Sequence, residues 1–450
     1  MADARILGGV ARAALDEHGH LGRVLRRVGG RLPGGLLRGG AFRQALAQIR
    51  ASETWSADTC RAWTAARLQQ LFGDLPAADG PPWPVWLARP PMATVTRDDL
   101  ADDPAAYRDP RYRGTVRWVA TGGTSGRPVR FLMDPAASAA EWAYITSMWA
   151  QYGYRHGDRR LVLRGLPPRG ERPFSYDPLL NELRVSPFRL GERWWPEIEA
   201  AVRDFRPRFV HGYPSAAARL ARLWPGPLPR VAALLLCSET VPPGLLDKLE
   251  AAWQAPALSW YGHSEKQVLG GACPGNRAYH MFPTYGLAEI VRGGRQATVG
   301  ETGQLLATGF VSRALRLLRY ETGDEGRFAG WGCAACGRQW PLIDPVVGRQ
   351  HTPLLGRSGI PVTMAALNFH TDVLAGVHKL RYVQEEPGRV RLLIEAPGPS
   401  PQAAKAILGA HKQKVGDELD FELVVVDQIP LLPSGKHVLV DQRIAGAGDD

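Results

Sequence analysis

The sequence predicts an α/β fold, a large α/β body followed by a small α+β unit, on three observations. From about residue 115, short β-rich runs alternate with stretches long enough for helices, the pattern of a partly parallel sheet. A glycine-rich loop, Thr121 to Gly126, follows directly on one of those runs. A boundary is expected near Gly348-Arg349, and the remaining stretch of about 100 residues is long enough to be a domain of its own. Five of the seven lysines fall in it.

Taken in order, residues 1–85 read as a helical region that ends in the proline-rich stretch Gly80 to Pro84. The first 50 residues have the Arg/Ala bias of a transit peptide, but Asp3, Asp16 and Glu17 interrupt it, and surface helices are the expectation. Residues 86–348 form the large domain. Its expected strands are Val116–Ala120, Arg160–Leu163, Phe209–His211, Val231–Leu236 and, in a glycine-punctuated region, Gly303–Thr308. Residues 349–450 form the small domain. It should contain a helix over Met364–Leu374, strands at Leu380–Val383 and Val390–Ile394, a helix over Pro401–Val415 and a strand at Phe421–Val426. No internal repeat or heptad pattern interrupts this order.

Charge and cysteine content narrow the function classes. The 450 residues carry 55 Lys plus Arg against 44 Asp plus Glu, a net charge of +11. That charge is mostly arginine scattered along the chain. No basic run is interleaved with aromatics, which argues against nucleic acid and for anionic small molecules. Apolar runs such as Val231–Cys237 fall far short of the roughly 20 residues of a membrane helix, so no membrane partner is expected. Five cysteines make no disulfide framework, and a reducing, cytoplasmic setting follows.

The loop Thr121-Gly-Gly-Thr-Ser-Gly126 suits an anion. Its glycines let backbone N–H groups converge, and Thr121, Thr124 and Ser125 add hydroxyl donors. It lacks the Walker lysine pattern. Three further motifs follow: Tyr261-Gly-His-Ser-Glu265, Tyr320-Glu-Thr-Gly-Asp324 and Leu432-Pro-Ser-Gly-Lys436. In this order, and with the segment Pro91–Leu100 ahead of the loop, the chain resembles the adenylate-forming superfamily of acyl-CoA synthetases and adenylation domains. The nearer resemblance is to its phenylacetate–CoA ligase and capsule-biosynthesis branch, over roughly residues 85–440.

The resemblance implies a large N-terminal domain that binds ATP and an acid, and a mobile C-terminal lid. Thr121, Gly122, Gly123, Thr124, Ser125 and Gly126 would hold the phosphates, with Arg127 as the adjoining cation. Ser238, Glu239 and Thr240 resemble the adenine-contacting turn. Tyr261 and Gly262 would lie beside the base, Glu265 would bind Mg²⁺, and Asp324 would accept the ribose hydroxyls. Arg349 matches the arginine near the hinge, although Gln350 stands where relatives often carry an acid. Lys436 matches the lid lysine that bridges the attacking carboxylate and the α-phosphate, stabilising charge in the transition state.

Two more constellations complete the reading. Cys333 and Cys336 form a Cys-x₂-Cys turn, and Cys273 with His280 could close a tetrahedral, structural Zn²⁺ site; reduced turn cysteines beside an unrelated pair are the alternative. Similar positions occur in part of the resembling branch. The segment His211-Gly212-Tyr213-Pro214 resembles that branch's acid-pocket lining. The helix after the phosphate loop offers Trp142, Tyr144 and Ile145, and His263 is placed to face the acid. The expected activity is ATP-dependent activation of a carboxylic acid, aromatic by the pocket's residues, to an acyl-adenylate. Transfer to CoA follows by resemblance; an amine, a hydroxyl or a carrier-protein thiol are alternative acceptors, and a catalytically silent nucleotide-binding scaffold is the rival of another class. Relatives are commonly dimers, so a homodimer is one expected assembly.

Overall fold

In the computed structural model the described residues are 34–73, 94–121, 127–165, 172–178, 180–346, 352–369, 371–429 and 438–444. The chain divides into two compact units, one of Met1–Gly39 and Trp149–Leu258, the other of Gly40–Met148 and Ser259–Asp450.

The second unit opens with helices α1 (Gly34–Ser52), broken at Gly39 where φ is 76°, and α2 (Ala57–Phe72). The Ser56 hydroxyl accepts from the Thr59 N–H and starts α2. The short helix α3 (Arg97–Asp102) is fixed by a capping box in which Thr96 and Asp99 satisfy each other's backbone N–H groups. The expected strand before the glycine loop is β1 (Arg117–Thr121), and it forms an antiparallel hairpin with β2 (Val129–Met133), pairing Thr121 with Val129. Helix α4 (Pro135–Ala150) follows. Buried Asp134 caps it by accepting from the Ala137 N–H at 2.9 Å. Leu100 of α3, Val119, Val129, Phe131, Ala137 and Tyr320 form one buried cluster, so the loop's two flanking strands stand on a firm floor.

The first unit holds β3 (Arg160–Leu163), β4 (Phe174–Asp177), β5 (Glu182–Val185), helix α5 (Trp195–Phe205), β6 (Phe209–Gly212), α6 (Pro214–Leu223), β7 (Ala233–Leu236) and α7 (Leu245–Trp253). Its strands run in the order β7-β6-β3-β5-β4. All neighbours are parallel except β4 against β5. Strands β3, β6 and β7 are buried at every position, as a sheet covered on both faces requires. Each helix buries one stripe: Ile198, Val202 and Phe205 on α5, Ala216, Ala217 and Leu220 on α6, Leu246, Leu249 and Trp253 on α7.

The second unit resumes with β8 (Ala257–Gly262), β9 (Leu269–Cys273), β10 (Asn276–Met281), β11 (Gly286–Arg292), β12 (Arg295–Gln296), β13 (Thr302–Gly309), β14 (Tyr320–Trp331) and β15 (Pro341–Ile343). They lie in the order β12-β11-β13-β14-β15-β10-β9-β8. Long β14 pairs with β13 through its first half and with β15 through its second. Gly286 is required where it stands, since a Cβ there would lie 1.8 Å from the Gln267 carbonyl oxygen.

The C-terminal region has a two-residue pair, β16 (Leu354–Leu355) with β17 (Pro361–Val362), and then a four-stranded sheet. This sheet is built from β18 (Lys379–Glu386), β19 (Arg389–Glu395), β20 (Asp420–Val426) and β21 (Val440–Gln442) in the order β20-β19-β18-β21, with α8 (Pro401–Val415) between β19 and β20. The strands and the helix over 401–415 lie where the sequence predicts them. The helix expected over Met364–Leu374 is a correction. Its described residues hold tight turns and no helix, with Ala366 N–H on the Thr363 carbonyl and Ala375 N–H on the Asp372 carbonyl. Asn368, Thr371 and Asp372 interrupt its apolar spacing with residues that favour turns.

Buried His411 gives this region an acid sensitivity. Its Nδ1 donates to the Ile407 carbonyl at 2.8 Å, and its Nε2 accepts from the Tyr382 hydroxyl at 3.0 Å. Burial pushes its pKa from 6.5 down to about 4, only partly offset by the Ile407 bond. Below pH 6.5 the unfolded chain therefore takes up a proton that the folded chain refuses. The contribution is complete above that pH and is lost as pH falls toward the folded value, a difference of about 3 kcal/mol. His411→Leu is expected to flatten the fall of the urea midpoint between pH 6.5 and 4; an unchanged slope would assign the acid sensitivity elsewhere.

Candidate active site and metal centre

Four elements of the second unit converge on Glu265. Residues 263–266 form the turn that leaves β8, and the Lys266 N–H closes it on the His263 carbonyl. Lys266 has a φ of 57°, in the left-handed region. Its ammonium pairs with Glu141 of α4, which also accepts from the Tyr285 hydroxyl at 3.1 Å. Glu265 is 4 % exposed, and its Oε1 accepts from the Arg97 guanidinium at 3.1 Å and from the Tyr320 hydroxyl at 3.0 Å. Burial pushes its carboxyl up, but the Arg97 charge, with the Tyr320 hydroxyl bond, holds it below its usual range, so it is a carboxylate at neutral pH. Arg97 also reaches Thr121 Oγ1 at 3.3 Å. Thr121, at the end of β1, is buried and is the last described residue before the loop.

Beside this cluster the Tyr261 hydroxyl donates to Asp324 Oδ2 at 2.7 Å. Burial, then the Asp324 charge, keep the phenol well above its ordinary value, so it remains a donor. One oxygen of Asp324 is thus oriented by a fixed neighbour. Gly262 is exposed, and a Cβ there would lie 2.7 Å from Leu269 Cδ1. His263 accepts the Gln267 N–H on Nε2 at 3.1 Å, which places its own proton on Nδ1. That Nδ1 is buried and has no hydrogen-bond partner among the described residues. Burial keeps the ring neutral despite the nearby Glu265 and Asp324.

The first unit holds the other expected contacts. Exposed Ser238 leaves β7 with φ 74°, and Glu239 accepts from both the hydroxyl (3.0 Å) and the N–H (3.2 Å) of Ser215 in the first turn of α6. The turn 238–240 is thereby tied to the segment 211–214. His211 is buried against the Trp149 ring, with centroids 4.8 Å apart. Burial, with Arg164 and Arg160 behind it, pushes its pKa well below the usual histidine value. Gly212 lies so close to β3 that a Cβ would sit 2.1 Å from the Leu163 oxygen. Tyr213 is buried, and Pro214 starts α6.

Trp142 and Ile145 are half-buried on α4, whereas Tyr144 is fully buried. Its hydroxyl donates to the Thr284 carbonyl at 2.9 Å and its ring meets Phe282 and Tyr285 edge-on, which is a core position. Arg127 is bound by Asp98 and Asp102 of α3. Gly122–Gly126, Arg349 and Lys436 lie outside the described residues. Sequence reasoning overlooked Arg97 and Tyr320. Both sit inside segments it had marked, Pro91–Leu100 and Tyr320–Asp324, but a lone arginine in a helical first turn carries no signal of its own.

The residues present fit a magnesium ion in one respect that the structure shows. Glu265 is a buried carboxylate whose side-chain bonds, from Arg97 and from Tyr320, both fall on Oε1, so neither of these two neighbours engages Oε2, which suits a hard carboxylate ligand.

Cys273, His280, Cys333 and Cys336 form the second cluster, their ligand atoms all within 4.8 Å of one another. The β9–β10 hairpin carries Cys273 and His280, and the turn after β14 carries the other two. Pairing of β10 with β15, His280 opposite Leu342, brings the two turns together. Cys273 and Cys333 Sγ atoms are 3.9 Å apart and Cys336 Sγ is 3.3 Å from His280 Nε2. Thiolates on a tetrahedral zinc with Zn–S of about 2.3 Å are about 3.8 Å apart, so the spacing fits. His280 Nδ1 faces the Gly271 and Ala278 carbonyls at 3.2 and 3.1 Å, which leaves Nε2 as the ligand atom. The turn also anchors the N-terminal helices, through Arg338 to Glu53 and Trp340 Nε1 to the Ser52 carbonyl at 2.8 Å.

No family model matches the chain. Among curated proteins it is similar to protein CapK of Staphylococcus aureus, 22 % identical over 366 residues, covering 77 % of this chain and 78 % of that one. Among solved structures it is similar to a 2-hydroxyisobutyryl-CoA ligase in complex with 2-HIB-AMP and CoA in the thioesterification state. That match is 20 % identical, covers 87 % of this chain and 92 % of the other, and has a TM-score of 0.51. An open conformation of the same ligase is 19 % identical over 86 % and 93 % of the two chains, with a TM-score of 0.48. No described helix is long and apolar enough to cross a membrane. The α/β sheets, the separate C-terminal β-sheet with its single helix, and the match along most of both chains show that this protein has the fold of the adenylate-forming superfamily.

Proposed function

We propose that the protein is an AMP-forming acid ligase: it activates a carboxylic acid with ATP to an acyl-adenylate, releases pyrophosphate, and passes the acyl group to CoA. The observation that carries this reading is the convergence of Arg97, Thr121, Glu265 and Tyr320 beside the oriented pair Tyr261–Asp324. It sets a cation, a hydroxyl and a carboxylate at the end of the strand that feeds the glycine loop. A silent scaffold has no physical need of that set.

On this reading a carboxylate oxygen attacks the α-phosphorus while pyrophosphate leaves. Glu265 Oε2 would hold the Mg²⁺ that accompanies ATP, and that ion would supply charge screening at the phosphates. Tyr261 fixes Asp324 for the ribose hydroxyls. Neutral His263 presents its Nδ1–H as a donor to the acid or to the adenylate oxygen. Trp142 and Ile145 supply apolar wall, which suits a planar acid, and Tyr144 acts behind them as core. The four-ligand Cys/His cluster holds a structural Zn²⁺, with no position left open for chemistry.

Lys436 is the remaining charge of the mechanism. Its ammonium would meet the negative charge that grows as the acid attacks, so it acts on the transition state more than on bound ATP. Acid-dependent exchange of pyrophosphate into ATP, run over a panel of aryl and aliphatic acids, tests the reading. In Lys436→Ala that exchange is expected to fall about 10³-fold while ATP affinity stays within about 3-fold. Absence of exchange with every acid in the parent would favour the scaffold. Product analysis with CoA, amines and alcohols then separates the acceptors.

A further inference from the structure

We propose that Arg97 is the phosphate-binding cation of the site, donating to the β- and γ-phosphate oxygens of ATP; this rests on the ligase reading above. Its place is set rather than adjustable. Arg97 is the first residue of α3, directly after Thr96, and the reciprocal Thr96/Asp99 cap fixes the backbone there. From that point its guanidinium lies within hydrogen-bond reach of Thr121 Oγ1, at 3.3 Å, and of Glu265 Oε1, at 3.1 Å. The side chain is only 15 % exposed.

The hydrogen-bond count leaves donors to spare. A guanidinium has five N–H groups in a rigid fork. The described contacts engage NH1, with Glu265 and at 3.4 Å with the Tyr320 hydroxyl, and NH2, with Thr121. Nε is buried and has no partner among the described residues. A buried, unspent N–H beside a partly engaged NH2 is the edge that two oxygens of one phosphate match as a bidentate pair. The cation that the sequence places next to the loop, Arg127, faces a different demand, because Asp98 and Asp102 both hold it. Arg97 pairs directly with one carboxylate, Glu265, with the Asp324 charge nearby, where Arg127 is held by two.

A rival role for the same geometry is a brace, in which Arg97 only orients Glu265 toward the metal ion. The two roles separate when the metal is removed. Calorimetric titration of the full chain with ATP and with AMP, in Mg²⁺ and again in EDTA, is the experiment, on the parent, Arg97→Lys and Arg97→Met. In EDTA the parent is expected to prefer ATP over AMP. Arg97→Met is expected to lose about 30-fold in ATP affinity while AMP affinity changes by less than about 3-fold, and Arg97→Lys to recover part of the loss. AMP binding in the variants also reports that they are folded. The proposal is overturned if ATP and AMP affinity fall together, which marks a structural role. It is equally overturned if Arg97→Met keeps the parent's preference for ATP in EDTA and loses affinity only in Mg²⁺, which marks the brace. A parent that binds neither nucleotide would instead overturn the ligase reading itself.

Discussion

Glu265→Gln is expected to lower acid-dependent pyrophosphate exchange by about 10³-fold, the scale on which preorganised charge at a reacting phosphate acts. Two effects stack in that variant, and they can be told apart. The first is chemical, because an amide oxygen is a weak ligand for a hard cation and carries no charge to hold it. The second is structural. Arg97 is left with its charge buried and its strongest partner gone, and breaking a buried pair from one side costs about 3–5 kcal/mol. The double variant Arg97→Met/Glu265→Gln should therefore recover much of the stability that Glu265→Gln loses, by a coupling read in a double-mutant cycle. Exchange should stay low in it. If Glu265→Gln exchanged pyrophosphate within 10-fold of the parent, by the same scale of charge stabilisation, the role given to this carboxylate would be wrong.

Loss of the Cys/His centre is expected to be the largest effect on stability. The protein purified without chelators should carry one zinc per chain. Cys336→Ser, or treatment with a strong chelator, should remove it and destabilise the fold by more than about 3 kcal/mol, since a metal held by a folded site contributes its binding energy to folding. The damage should be local first. Amide exchange should rise in the turn Cys333–Arg338, closed by the Gly337 N–H on the Cys333 carbonyl, and in the α1–α2 connection that Trp340 and Arg338 hold. Pyrophosphate exchange per folded molecule should barely change, because no ligand of this cluster touches the Glu265 group. A metal-free protein of parental stability would leave the four residues as reduced thiols beside a histidine.

Much of this was legible in the sequence because the chemistry is local. The strand before the glycine loop, the runs Arg160–Leu163 and Val231–Leu236 (a strand from Ala233 in the structure), and the helix at 401–415 follow from the local pattern alone. The Cys/His set was legible from two short spacings. What escaped has a common cause, namely long-range pairing. Arg97 gains its meaning only from Glu265, 168 positions away, and Tyr320 only from the same carboxylate. Tyr144 was read as pocket wall because an aromatic at helical spacing looks the same whether it faces a ligand or the Thr284 carbonyl. The helix expected over Met364–Leu374 fails because its seven apolar residues suggest helical spacing, while Asn368, Thr371 and Asp372 favour turns.

The bond from Glu239 to Ser215 has a bearing on redesign. Under the ligase reading, the turn that reads the base and the strand end that reads the acid are clamped by one side chain. Retuning acid choice through Ser215 or its neighbours would disturb nucleotide affinity at the same stroke.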